Sequence, residues 1–198
     1  MKQKVLLASN NAHKIKEIRA ILGDFFDIVS LREAGVESDP EETGKTFEEN
    51  ARIKAVAGMK ASGMPCIADD SGLEVLALDC RPGVMSARYS GSHGDDAANN
   101  EKLLAEFADK PDRSARYVCV ICMAFPDGRE LEARGECYGE ILKEKRGNGG
   151  FGYDPLFYFP QFGKTFAEIS AEEKNEVSHR NAALKAFEKL WEKEINDK

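Results

Sequence analysis

No apolar run in the 198-residue sequence is longer than the nine residues at 117–125. A membrane-crossing helix needs about 20. The start offers only Val5-Leu6-Leu7-Ala8 after Lys2 and Lys4, too little for the apolar segment of a secretory leader. Basic charge is also scarce. Lys and Arg number 28 against 35 Asp and Glu, a net charge of -7. That argues against a protein that tracks long nucleic acid, which usually carries a basic face to displace counterions from phosphates. Neither a membrane nor polymeric nucleic acid is therefore expected as a partner, and a small phosphorylated ligand would need a local cluster of cations or a bound metal. Disulfides are not expected either. The five cysteines are odd in number and have no leader beside them, which points to reduced thiols and a cytoplasmic location. Cys119 and Cys122 have the spacing of half a zinc site, but in a β-rich run residues three apart face opposite sides, so core packing is the expectation.

What is present is an ordinary globular composition, 42% apolar and 32% charged, in a chain long enough for a sizeable core. There is no repeat, low-complexity tract or linker, so residues 1–198 are expected to form a single domain. An apolar strand over 4–9 leads through Asn10-Asn11 to a helix with Ile15, Ile18, Ile21 and Leu22 on one face. A strand at 26–29, an acidic loop over 32–45 and a helix from Thr46 to about residue 61 follow, Thr46 and Glu49 having capping-box spacing. A strand at 66–68 is expected to carry Asp69 and Asp70 at its tip, followed by a strand at 73–78, a loop over 81–94 and a helix over 95–107. Two long strands, 116–125 and 129–141, flank the turn signal Pro126-Asp127-Gly128. A loop over 143–154, a strand at 155–159 and one terminal helix over 177–195 complete a mixed α/β order.

Two stretches ending in Gly-Lys-Thr, at 44–46 and 163–165, lack the upstream glycine of a phosphate loop. The run Gly147-Asn148-Gly149-Gly150-Phe151-Gly152 fits the dinucleotide fingerprint in letters only, because it has charged residues before it and Tyr153-Asp154-Pro155 after it instead of a strand and a helix. It reads either as a flexible loop or as a permissive backbone holding Phe151 and Tyr153 to stack on a base, with Asp154 accepting from ring N–H groups. Ser9, Asn10, Asn11, Ala12, His13 and Lys14 lie between strand and helix, where they would cap the helix or hold phosphate. Asp69 and Asp70 read as a surface turn or as a Mg²⁺ site, with Glu41 or Glu42 as a further carboxylate. Adjacent carboxylates repel, which calls for a positive partner. His179 and Arg180 open the last helix, where cations oppose the macrodipole. A carboxylate such as Asp154 or an anionic ligand would account for them.

Taken together, Ser9-x-Asn11-x-x-Lys14, Glu41-Glu42-Thr43-Gly44 with Thr46-Phe47 and Glu49-Asn50, Ala68-Asp69-Asp70-Ser71-Gly72-Leu73, Pro82-Gly83 with Ser86-Ala87-Arg88-Tyr89, Gly149-Gly150-Phe151-Gly152-Tyr153-Asp154-Pro155 and Ser178-His179-Arg180 resemble the inosine triphosphate pyrophosphatase (Ham1-like) family over nearly the whole chain. Ser9 stands where the family commonly has Thr and keeps the hydroxyl. The resemblance implies an elongated mixed sheet with two α/β lobes around a nucleotide cleft, usually in a homodimer. It implies Mg²⁺-dependent hydrolysis of the deaminated purine nucleotides ITP, dITP and XTP to the monophosphate and pyrophosphate. It makes Asp70 the proton acceptor and a metal ligand together with Glu41. Ser9, Asn10, Asn11, Ala12, His13, Lys14 and Ser71 would hold the triphosphate. Phe151, Gly152, Tyr153, Asp154, Lys174, His179 and Arg180 would enclose the base.

Overall fold

Strand β1 (Gln3–Leu7) buries Val5, Leu6 and Leu7 and turns through Ser9 into α1 (Ala12–Leu22). Ile18 and Leu22, one helical turn apart, face the same core. Strand β2 (Phe26–Ser30) follows. Ser30 then caps a short helix, α2 (Leu31–Ala34), with a full capping box to Glu33. The region expected to be loop from residue 32 therefore begins with a helical turn, because Ser30 and Glu33 are spaced to satisfy each other's backbone. Helix α3 (Phe47–Ser62) starts at Thr46, whose hydroxyl accepts from Glu49 N–H at 3.1 Å. The expected reciprocal bond is displaced by one residue, since the Glu49 carboxylate takes Lys45 N–H at 2.5 Å. Gly63, at φ 68, ends this helix in a left-handed conformation that suits a residue without a Cβ.

Strand β3 (Cys66–Val75) corrects a larger expectation. Asp69 and Asp70 lie within an unbroken ten-residue strand, not at the tip of a short one. The expected second strand at 73–78 is its continuation, ending in a 3₁₀ turn at Leu76–Leu78. The charged pair did not end the strand because its charge is compensated on both faces. The supposed loop over 81–94 contains β4 (Arg81–Pro82) and a 3₁₀ segment, Gly83–Arg88. Then come α4 (Asp96–Phe107), β5 (Ser114–Ala124), β6 (Glu130–Ile141), β7 (Phe157–Phe159) and β8 (Lys164–Thr165). The expected single terminal helix is two, α5 (Ala171–Val177) and α6 (His179–Asn196). Ser178, in an extended conformation at ψ 153, separates them.

The strands form a mixed eight-stranded sheet in the order β2-β1-β3-β5-β6-β7-β8, with β4 paired to β3. β1 is parallel to β2 and β3, whereas β3–β4, β6–β7 and β7–β8 are antiparallel. The Pro126-Asp127-Gly128 turn closes the β5–β6 hairpin, with Phe125 N–H donating to Arg129 O at 3.0 Å. The structure describes residues 2–196, and the side chain of His13 lies outside that description. The fold is thus the expected α/β class with a mixed sheet.

The chain divides into two compact units, Met1–Asp70 with Cys119–Gly135 and Arg180–Lys198, and Ser71–Val118 with Glu136–His179. The first packs Val5, Leu7, Ile18, Leu22, Ile121 and Phe187. The second packs Leu73, Leu103, Phe107, Tyr117, Phe157 and Phe166. Each such large apolar side chain contributes about 1.5–3 kcal/mol by leaving water. Cys119 and Cys122 are buried, and burial pushes both thiols up to about 12, consistent with packing residues. Among the described residues no helix is long and apolar enough to cross a membrane.

Candidate active site

Successive side chains of a strand point to opposite faces, so the two adjacent carboxylates of β3 face apart. Asp69 meets cations from α1 and α6: Lys14 Nζ lies 2.8 Å from Oδ1 and Arg180 Nε 3.5 Å from Oδ2. Asp70 meets α3. Lys54 Nζ lies 2.7 Å from its Oδ1, and Asn50 Nδ2 donates to its Oδ2 at 3.4 Å. Asn50 and Lys54 are one helical turn apart, which puts both on the helix face that covers the strand. The repulsion anticipated for paired acids is thus relieved by the chain's own cations and does not wait for a ligand.

Burial and charge compete at each of these groups. Burial acts to raise the Asp69 pKa, but Lys14 and Arg180 outweigh it and hold the carboxyl well below its ordinary range. At Asp70 burial wins over Lys54, with Glu42 adding to it, and the pKa is raised. Burial would lower Lys54, yet Asp70, Asp69 and Glu42 more than offset that, so the ammonium stays charged. Arg180 also pairs with Glu17, Nη1 to Oε2 at 2.8 Å. The partner of Arg180 is therefore Asp69 with Glu17, where Asp154 had been considered.

The strand-to-helix turn does what capping requires. Ser9 Oγ accepts from Asn11 N–H at 3.1 Å, Asn11 Oδ1 from Lys14 N–H at 3.3 Å and Asn10 Oδ1 from Arg32 N–H at 3.0 Å. A cavity of about 720 Å³ opens beside this turn, lined by Ser9, Asn10, Leu31, Pro40, Glu42 and Lys54 among others. Of the two loop acids, Glu42 is drawn in, its Oε1 3.0 Å from Lys54 Nζ, while Glu41 is exposed. Among the described residues no three His, Cys, Asp or Glu side chains gather as a metal cage. Glu42 and Asp70 nevertheless share one cationic nitrogen, and two carboxylates suit Mg²⁺ when phosphates and water complete its shell. The donor set fits the ion on that basis.

The second unit assembles a different group. Asp154, 1% exposed, receives Lys174 Nζ and Phe151 N–H (2.9 Å) on Oδ2, and Tyr117 O–H (3.2 Å) on Oδ1. Lys174 Nζ stands 4.2 Å from the centroid of the Phe151 ring, which is 55% exposed. Gly150, at φ 73, passes so close that a Cβ there would lie 2.2 Å from Asp154 Oδ2. Gly152 is held from α4: its N–H donates to Asp96 Oδ2 at 2.6 Å, and its carbonyl accepts from Asn100 Nδ2 at 2.7 Å. Tyr153 is buried, with its hydroxyl donating to Ser86 O at 2.9 Å. His179 stacks on Tyr117 at 4.8 Å and 15°. Ser71 is half-buried at the start of this unit.

Asp69, Asp70, Lys14 and Arg180 are therefore gathered in the first unit, and Phe151, Asp154, Lys174 and His179 in the second. Sequence reasoning missed Lys54, Tyr117, Asp96 and Asn100. For Lys54 a signal existed, since it follows Asn50 by one helical turn. Tyr117 lies 37 residues from Asp154 within an apolar strand, and nothing in its neighbourhood marked it.

The fold is a mixed α/β sheet whose strand β3 carries two acids, each meeting a lysine from a helix, and the second unit holds a carboxylate–lysine–aromatic group. The Ham1 family model matches residues 5–190, and the chain belongs to that family. A dITP/XTP pyrophosphatase of Desulfotalea psychrophila is 56% identical over 91% of this chain and 81% of its own. One from Clostridium perfringens is 51% identical over 92% and 94%. The structure of the Staphylococcus aureus Ham1 protein superimposes with a TM-score of 0.90 at 45% identity, covering 97% of this chain and 100% of that one.

Proposed function

We propose that the protein is a Mg²⁺-dependent nucleoside triphosphate pyrophosphatase that converts ITP, dITP and XTP to the monophosphate and pyrophosphate. The observation that carries this reading is the buried Asp70 on β3, held by Lys54 with its pKa raised, which is a carboxylate primed to take a proton. The relatives named dITP/XTP pyrophosphatase support dITP and XTP as substrates, and the family resemblance adds ITP. The family resemblance extends the reading to a homodimer, and five free cysteines suit a cytoplasmic setting.

In this reading Lys14, Lys54 and the Ser9–Lys14 turn bind the phosphate chain, the lysines exchanging a carboxylate partner for phosphate oxygens. Asp70 accepts the proton of the attacking water on a carboxylate oxygen. Asp70 would hold Mg²⁺ with Glu42, the acid that shares its cation, or with Glu41, the one the family pattern points to. The ion supplies neutralisation of phosphate charge. Asp69, locked between Lys14 and Arg180, orients those cations. Base selection falls to Asp154 as acceptor and Lys174 as donor, with Phe151 as stacking face and His179 beside them. Hypoxanthine and xanthine present N1–H and a 6-oxo group, which match these roles. Adenine reverses both and would leave buried groups unpaired.

The test is a panel of nucleoside triphosphates with and without Mg²⁺, with the released phosphate species identified. Pyrophosphate from ITP, dITP and XTP, with ATP nearly untouched, is expected. Stepwise orthophosphate release would overturn the pyrophosphatase reading, and binding without turnover would indicate a nucleotide sensor.

A further inference from the structure

Two of the proposed base-reading groups, Asp154 and His179, touch one side chain that no motif marked. Tyr117, 7% exposed on β5, donates its hydroxyl to Asp154 Oδ1 at 3.2 Å. One face of its ring lies against His179, with centroids 4.8 Å apart and planes 15° from parallel. It also stacks with Phe166 at 6.0 Å and 4°, and Phe157 packs at a tilt 4.6 Å away. Lys174 Nζ in turn stands 5.5 Å from the centroid of Phe166. The acceptor, the donor and the imidazole thus share one aromatic platform. We infer that Tyr117 is a positioning residue for base discrimination, its hydroxyl fixing the Asp154 carboxylate while its ring packs against His179.

This inference rests on the proposed function. A carboxylate turns broadly about its last torsion unless both oxygens are held. Lys174 and Phe151 N–H hold Oδ2 alone, so the Tyr117 hydroxyl is the contact that sets the Oδ1 direction. Burial first, and the Asp154 charge second, push the Tyr117 hydroxyl well above its ordinary pKa, so it remains a donor at working pH. A competing role as packing alone is served equally well by phenylalanine, which keeps the ring, the stacks and nearly all the volume. The two roles therefore part on a single atom.

The experiment is Tyr117→Phe in the full chain, assayed on ITP, ATP and GTP with separate measurement of pyrophosphate binding and thermal stability. With the carboxylate released, KM for ITP rises about ten-fold, the loss of one hydrogen bond to a charged group. The turnover number and pyrophosphate affinity stay within about two-fold, because the phosphate end is untouched. The preference for ITP over ATP narrows by about the same ten-fold. In a double-mutant cycle with Asp154→Ala, the tyrosine change adds little once the carboxylate is gone. Unchanged KM and unchanged preference, with only a lower melting temperature, would overturn the inference, as would fully additive losses in the cycle. A wild type that leaves ITP intact strikes the functional reading and this inference together. An active wild type with an indifferent Tyr117→Phe strikes the inference alone.

Discussion

Replacing Asp69 with asparagine removes the one negative charge that Lys14 and Arg180 share while keeping the shape of the side chain. Asp69 is 2% exposed, with Lys14 Nζ at 2.8 Å and Arg180 Nε at 3.5 Å. Removing one partner of a buried ion pair costs about 3–5 kcal/mol because the other charge is left uncompensated. Lys14 retains 23% exposure and can swing toward water, and Arg180 keeps Glu17, so the loss falls at the lower end, about 3 kcal/mol. For a chain of this size that lowers the melting temperature by about 6–12 °C. The pH dependence has a definite sign. The folded Asp69 pKa lies below its ordinary value of 3.8, so the native state binds fewer protons than the unfolded chain as pH falls through that region. Its stabilising contribution is present above 3.8 and is lost progressively as pH falls from there through the much lower folded pKa. Calorimetric scans of metal-free wild type and Asp69→Asn from about pH 7 to about pH 3 should show a gap that is widest near neutrality and begins to narrow below about pH 4. A gap under about 2 °C at neutral pH, or one that stays as wide in acid, would refute the Coulombic account of this site.

Three further outcomes follow from the same geometry. Asp70→Asn should lose roughly 10²–10⁴ in turnover, the range for a lost general base, while nucleotide binding survives. Near-native catalysis by the folded variant would remove Asp70 from its role. Phe151→Ala should weaken ITP binding roughly ten-fold, the scale of one base–aromatic stack, and leave pyrophosphate binding nearly intact. Equal losses for both ligands would indicate general disruption of the loop. Gly150→Ala places a Cβ 2.2 Å from Asp154 Oδ2 at a φ of 73, so it should displace the carboxylate and raise KM for ITP. A wild-type KM would mean that the acceptor can move without consequence.

Local chemistry that repeats or caps was readable along the chain. The helix faces of Ile18 and Leu22, the Thr46 start and Gly63 stop of α3, and the Pro126-Asp127-Gly128 turn each depend on residues within a few positions, and each was found where expected. The misreadings have a common origin. Asp69 and Asp70 looked like the end of a strand because adjacent carboxylates repel in isolation, yet Lys14, Lys54 and Arg180 make mid-strand charge tolerable. Ser178 broke the last helix without a proline or glycine to announce it.

The order of the motifs, the α/β class and the membership of the Ham1 family were all carried by residue types and spacing, since caps, turns and periodic faces are short-range interactions. Which acid meets which cation, why Glu42 and not Glu41 turns toward Lys54, and how Tyr117 comes beneath Asp154 depended on folding. Those partners lie 12 to 37 residues or more apart, and only sheet pairing and helix packing bring them within hydrogen-bond reach.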